Sequence, residues 1–377
     1  MKSIYLLSAQ PYSGKSLIIV GLGLHFQEEG LQVGYFKPFG TAIKGEAGSS
    51  KQEVVSPALM ASQKGGIEED AYSVKEVLGL KEAIEKICPV LVTRELISNI
   101  LSAPPAGEAG KSKENFLEKI TTNFNSVAKG KDLVFIDGAG DFSEGCIFDL
   151  PVEKIVEITK SKVILVLKYE QDIILDILLR AKDIFKDNFL GAIINYVPLS
   201  QIDYFTDVIL PYLEKRKIEI FAFFPKDILL AAVTVREIVE HLNAQVLCGK
   251  DKLDELVENF TVGAMHPEHA LRYFRKIANK AVITGGDRAD IQLAALETAT
   301  KCLILTGNLR PDSLVLCKAV DLGIPMLSVA YDTFTTVELI EEITKKIPFH
   351  GARKIERMKE LFKTKFDFKK FKTLLGI

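Results

Sequence analysis

The chain has 377 residues, room for two or three domains, and its 47% hydrophobic and 26% charged residues give the balance of a globular protein with sizeable cores. A formal net charge of −2 excludes a global basic field for nucleic acid or an anionic membrane and leaves only local patches for such partners. The five cysteines (Cys88, Cys146, Cys248, Cys302, Cys317) are scattered and lack Cys-x-x-Cys spacing, so neither a disulfide framework nor a zinc site is expected.

The N-terminus, "MKSIYLLSA", enters a strand-like run at once. It has no long apolar core of a signal peptide, and no later apolar run is long enough to span a bilayer; the scattered cysteines make a reducing cytoplasm the expected home. After "SIYLLSA", the strand signals are "QVGYFKPF", "DLVFID", "KVILVLK", "LGAIINYV" and "IEIFAFF". Helical periodicity separates most of them. Near-continuous apolar strands alternating with helices are strands buried on both faces, which predicts an α/β fold with a parallel sheet. The Pro/Gly-rich stretch 103–115, "APPAGEAGKSKEN", reads as an exposed loop.

From Gln245 onward strands and helices alternate in shorter units: "KAVITGGDRADIQLAALETAT", "KCLILTG", "RPDSLVLCKAVDLG", "IPMLSVAY". These predict a compact three-layer α/β domain of roughly 100 residues. The expected domains are thus 1–244, 245–350 and a tail, 351–377. The tail is basic and amphipathic, and is expected to form one helix packed on the body or on a partner, with a membrane surface as the alternative.

The tripeptide Gly-Lys-Ser occurs twice. Gly110-Lys111-Ser112 lies in the Pro/Gly stretch with no strand before it and is a chance match. Gly14-Lys15-Ser16 follows the strand "SIYLLSA" and opens the helix "SLIIVGLGLHFQEEG". That context is what phosphate binding needs: backbone N–H groups and a helix N-terminus face the anion, a lysine reaches the β/γ-phosphates, and a hydroxyl binds Mg²⁺. Ser8, Ser13, Gly14, Lys15, Ser16 and Leu17 are therefore the expected nucleotide-binding residues of the loop. The first glycine of the common loop is missing. Strict spacing puts Ala9 in its place and a loop longer by one residue puts Ser8 there, small residues with less φ freedom than glycine.

The longer loop, "SAQPYSGKS", resembles the dethiobiotin synthetase and cobyrinic acid a,c-diamide synthase branch of P-loop proteins. "VGYFKPFG" looks like that family's second strand, ending in Lys-Pro; "EEDAYSVKEVLGL" like its Asp-Ala segment; "DLVFIDGAGDFSEG" like its acidic strand end, with Asp137 in place of Glu. The resemblance implies that Lys15 and Lys37 are the candidate catalytic residues, acting on phosphate charge or an acidic substrate, that Ser16, Asp70 and Asp137 are oxygen ligands for Mg²⁺, and that Asn195 contacts the adenine of ATP. Taken singly, Lys37 also reads as a surface lysine, Asp70 as a helix N-terminal acid, Asp137 as a turn residue and Asn195 as a strand-end cap.

The second block resembles the DRTGG domain through Asp287-Arg288 in "TGGDRAD" and Thr306-Gly307 in "LILTGNLRP". Asn308 stands where a second glycine would be, and asparagine tolerates positive φ. Asp287 and Arg288 read equally as a ligand site with Thr306 and Gly307 or as an ion pair fixing a loop. Cys248, Cys302 and Cys317 lie in or beside apolar runs, as buried structural cysteines do, so a glutaminase nucleophile is not expected. His266 and His269 flank Pro267 at an expected helix start, without a further metal ligand in view. The pairing of domains resembles the N-terminal, non-catalytic part of long-form phosphotransacetylase. It implies ATP and Mg²⁺ as cofactors, and a nucleotide-sensing regulator or slow ATPase whose partners are a second copy of the chain and an acyltransferase or other metabolic enzyme. The alternatives are an ATP-dependent enzyme that phosphorylates a small carboxylate or carbamate, and an interaction protein with a relic site.

Overall fold

The computed structural model describes residues 1–41, 69–102, 110–138, 140–170, 172–345 and 352–377. These form two compact units, Met1–Asp227 with Phe349–Ile377, and Ile228–Pro348.

The strands of the first unit are β1 (Lys2–Leu7), β2 (Val33–Phe36), β3 (Phe39–Thr41), β4 (Val90–Val92), β5 (Leu133–Asp137), β6 (Lys162–Lys168), β7 (Phe189–Val197) and β8 (Ile220–Pro225). Six of them form one sheet in the order β2-β5-β1-β6-β7-β8, parallel throughout. They are the six β-branched runs picked out in the sequence. Their burial explains their composition: all five residues of β5 and five of the six in β1 are buried, as a sheet covered on both faces requires. β3 and β4 form a separate parallel pair. The first helix, α1 (Lys15–Glu28), starts one loop after β1 and buries Leu17, Ile18, Ile19, Val20, Leu22 and Phe26.

Part of the 103–115 stretch is helical, not a loop. A helix spans Gly110–Ala128, because strong helix formers follow Gly110; residues 103–109 lie outside the described residues. The second Gly-Lys-Ser therefore opens a helix, but the element before it is another helix, Arg94–Ser102, and not a strand.

The tail forms two helices where one was expected, Ala352–Lys365 and Phe368–Leu375. The break falls at Asp367, whose side chain accepts from the Lys370 N–H at 2.9 Å and so caps the second helix. Both pack on the first unit. A Cβ built on Gly21 would meet the Phe362 ring at 2.3 Å, so only glycine lets the tail approach α1 this closely. His25 stacks on Phe368 at 3.5 Å. Arg357 pairs with Asp227 at 2.8 Å, Lys359 with Glu28 at 2.6 Å and Lys372 with Glu29 at 2.5 Å.

The second unit holds β9 (Val233–Thr234), β10 (Gln245–Cys248), β11 (Leu256–Val257), β12 (Asn259–Val262), β13 (Lys280–Gly285), β14 (Thr300–Thr306) and β15 (Met326–Ser328). Its five-stranded sheet runs β10-β15-β14-β13-β12, with β10 antiparallel at one edge and the rest parallel. It begins at Ile228, upstream of residue 245, because Val235, Ile238 and Leu242 share a core with Ala281, Ile283 and Ile304. The helix carrying them, Val235–Leu242, opens with a Thr234/Glu237 capping box. All five cysteines are free thiols. Cys248 and Cys302 are buried, but Cys317 is exposed; its helix, Ser313–Leu322, buries Val315 and Ala319 instead.

Among the described residues, no helix is long and apolar enough to cross a membrane.

Candidate nucleotide site

The loop between β1 and α1 is shaped by hydroxyl and backbone geometry. Ser8 is buried; its Oγ donates to Gln10 O at 2.6 Å and accepts from Gln10 N–H at 3.1 Å. That closes a local turn of the kind serine favours. Ser8 does not have positive φ. The left-handed positions of the loop are Tyr12 (φ 57°) and Gly14 (φ 87°). Glycine is thus kept where the chain enters α1, and the position of the missing first glycine makes no left-handed demand. The side chain of Leu17 is buried, so what it offers a ligand is its backbone.

Lys15, Lys37, Asp70 and Asp137 come together. β2 and β5 pair in register, Phe36 opposite Ile136, so Lys37 and Asp137 stand side by side at the carboxyl edge of the sheet. β5 also pairs β1, Asp137 opposite Leu6, which sets Asp137 beside the start of the loop. Lys37 Nζ lies 3.4 Å from Asp137 Oδ2 and 3.6 Å from Asp70 Oδ2. Lys15 Nζ lies 3.8 Å from Asp137 Oδ1 and donates to Gly138 O at 2.5 Å. Asp137 is almost fully buried while Asp70 is exposed.

Two further residues support this cluster and escape sequence reading. The Tyr35 hydroxyl donates to Asp137 Oδ2 at 3.0 Å from a fully buried position. The signal for it is alternation: Lys37, the residue after β2, stands two positions beyond Tyr35 and so falls on the same side of the chain. Gly138 is the other, since a Cβ there would meet the Tyr5 ring at 2.0 Å and Leu6 O at 2.7 Å. Electrostatics follow from the geometry. Burial alone would raise the Asp137 carboxyl, but Lys37, Lys15 and the Tyr35 hydroxyl outweigh it and hold it below the usual carboxylate range. Burial lowers the Lys15 ammonium, with Asp137 and Glu144 opposing. Asp137, the Ser16 hydroxyl at the helix start and Asp70 are hard oxygen donors, a set that fits Mg²⁺ rather than a softer metal.

Asn195, two residues before the end of β7, is buried against the loop. Its Nδ2 donates to Ser13 O at 3.1 Å and its Oδ1 accepts from the Tyr196 N–H at 3.0 Å.

In the second unit Gly285 pairs Thr306 across β13 and β14, so the DRTGG residues gather at the carboxyl edge of that sheet. The ion pair of Arg288 is with Asp290, at 3.0 Å, and not with Asp287; the guanidinium also donates to Met265 O at 3.3 Å. Thr306 Oγ1 lies 3.0 Å from Thr333 Oγ1. Gly307 (φ 82°) and Asn308 (φ 55°) are both left-handed, and their N–H groups donate to Tyr331 O and Val329 O at 2.8 and 2.9 Å. His266 precedes the helix Pro267–Phe274.

A parallel sheet whose first strand feeds a glycine-led helix, with lysine and acid at the neighbouring strand ends, defines a P-loop protein. The chain belongs to the AAA domain family, whose model matches residues 2–259, and residues 237–343 match the DRTGG domain. It is 24% identical over 388 residues to a phosphate acetyltransferase of Synechocystis, covering 98% of this chain and 51% of that relative. A cobyric acid synthase of Caldanaerobacter subterraneus is 30% identical over 131 residues, 35% of this chain and 25% of the relative. The chain therefore spans about half the length of the phosphate acetyltransferase it follows end to end. The crystal structure of the CBS and DRTGG domains of the Clostridium perfringens pyrophosphatase regulatory region, complexed with diadenosine tetraphosphate, covers 38% of this chain and 70% of its own at 20% identity, with a TM-score of 0.28.

Proposed function

We propose that the chain is a Mg²⁺-dependent ATP-binding protein that works as a nucleotide-sensing regulator or slow ATPase. One observation carries the reading: a single buried carboxylate, Asp137, gathers Lys15 from the loop and Lys37 from the next strand end. Two ammonium groups held at the mouth of a helix form a cation pair suited to a polyphosphate. Asp137 offsets one of the two charges and holds the pair in place, and Asp137, Ser16 and Asp70 are the side chains that would hold Mg²⁺. The metal would supply charge neutralisation on the phosphates. Asp287, Arg288, Thr306 and Gly307 are the proposed ligand edge of the DRTGG unit, where Asp290 already orients the guanidinium. Relatives named phosphate acetyltransferase, twice this chain's length, favour an acyltransferase as partner; a second copy of the chain is the other partner proposed.

A second reading, transfer of a phosphoryl group to a small carboxylate or carbamate, draws on Lys37. Its ammonium bridges buried Asp137 and exposed Asp70 and so stands between the interior of the site and solvent. The test is thermal unfolding with and without ATP and Mg²⁺. Wild type is expected to melt higher with both present, and Lys15→Ala to lose that rise; no shift in wild type would sink the nucleotide reading. ATP turnover that rises above background with one of a panel of small carboxylates would favour the enzyme over the regulator.

A further inference from the structure

The phosphate loop is held from outside at two points, by the ends of the two strands beyond β1. The first hold is at β6: the Lys168 N–H donates to Gln10 Oε1 at 3.1 Å. The second is at β7. Asn195 is 5% exposed, and chemistry fixes which way its amide faces. Ser13 O can only accept, so the nearer atom is Nδ2; the Tyr196 N–H can only donate, so its partner is Oδ1. Both polar ends of this side chain are therefore engaged by backbone, one of them by the loop itself. The fit is close in shape as well. A Cβ built on Gly14 would lie 2.4 Å from Asn195 Nδ2, so the amide fills the space that glycine leaves.

The backbone around Asn195 is organised for this contact. Tyr196 adopts φ 59°, a left-handed conformation that non-glycine residues seldom take and that persists where the surroundings impose it. The Asn195 carbonyl accepts from the Tyr169 N–H at 2.8 Å, which ties this strand end to β6.

We propose that Asn195 is a positioning residue of the phosphate loop, tethering Ser13 and seating Gly14 so that the loop is pre-formed for a polyphosphate of any base. This rests on the nucleotide reading above. It assigns to Asn195 the shape of the loop, where the family resemblance implies contact with adenine. A loop without its first glycine gains rigidity from such a tether, since an ordered loop loses less conformational freedom when it binds.

The test compares wild type with Asn195→Ala and with Asn195→Asp, which keeps the shape but sets a second acceptor against Ser13 O. Affinities are measured for ATP, GTP and inorganic tripolyphosphate in Mg²⁺, and amide exchange is followed over residues 8–17 without nucleotide. Both variants are expected to bind all three probes more weakly by a common factor of about ten, leaving the ATP-to-GTP ratio unchanged, and to exchange faster in the loop. Weakening confined to ATP, with loop exchange at the wild-type rate, would overturn the proposal and return Asn195 to base recognition. Wild type that binds none of the three probes would remove the nucleotide reading, while the exchange comparison still decides the tether. Should the alanine variant fail to fold, the aspartate variant carries the same comparison.

Discussion

Tyr35→Phe removes one buried oxygen from the centre of the candidate site and nothing else. That oxygen donates to Asp137 Oδ2 at 3.0 Å. A hydrogen bond to a charged group contributes about 1.5–3 kcal/mol net. Asp137 keeps Lys37 at 3.4 Å and Lys15 at 3.8 Å, so the low end applies, about 1.5 kcal/mol. For a unit of this size that is a fall of roughly 3–6 °C in melting temperature. The effect also has a pH signature. The folded carboxyl of Asp137 is held below its ordinary 3.8, so its contribution is fully present above pH 3.8 and is lost as pH falls through the folded value. Removing the Tyr35 hydroxyl lifts that folded value toward 3.8. The gap between wild type and variant is therefore full at pH 7 and closes only as pH falls through the folded values of the carboxyl, which lie below 3.8 in wild type. Calorimetry of both proteins at pH 7 measures the full gap. Equal melting temperatures there would refute the reasoning and reduce Tyr35 to a packing residue.

Two more outcomes follow from packing and charge. Gly21→Ala sets a Cβ 2.3 Å from the Phe362 ring; the helix Ala352–Lys365 must shift, at a cost of about 1–3 kcal/mol, and limited proteolysis should release the tail faster than in wild type, an unchanged rate counting against the close approach. Lys280 is fully buried, and its ammonium donates to Ile277 O at 3.0 Å, Thr298 Oγ1 at 2.9 Å and Ala299 O at 3.3 Å. Burial pushes it down to about 8, below the 10.5 of the unfolded chain. The unfolded state then binds more protons between those values, so the second unit gains stability as pH rises from about 8 toward 10.5. Denaturation measured relative to Lys280→Met should show that rise, and a flat difference across the window counts against it.

The main sheet was legible because parallel strands buried on both faces leave a compositional trace. "SIYLLSA", "DLVFID" and "KVILVLK" are apolar on both alternations, and they became β1, β5 and β6. The start of the second unit was not legible for the converse reason. The helix Val235–Leu242 is amphipathic, and its pattern says that Val235, Ile238 and Leu242 face a core without saying which; they joined that of Ala281 and Ile304. The tail reads as one apolar stripe because the cap at Asp367 interrupts the backbone and not the periodicity.

The same division holds in the site. Lys15 was legible from the strand before it and the helix after it, and Lys37 and Asp137 from the family resemblance; parallel register then sets Lys37 and Asp137 side by side, since each follows or ends a strand of the sheet. Tyr35, Asn195 and Arg288 have roles set by what their side chains reach. The Asn195–Ser13 contact joins residues 182 positions apart, and no local pattern encodes it. Arg288 lay beside two acids in the sequence, Asp287 and Asp290, and took the second. The missing first glycine is the instructive case. A motif records the residue most often found at a position, whereas the fold imposes only a backbone conformation and a space to fill. At Ser8 neither demands glycine, because the hydroxyl closes the turn. At Gly14 both do, with φ 87° and the Asn195 amide against the place a Cβ would occupy. The loop thus keeps its glycine where conformation and packing require one, and a serine there would meet both penalties at once.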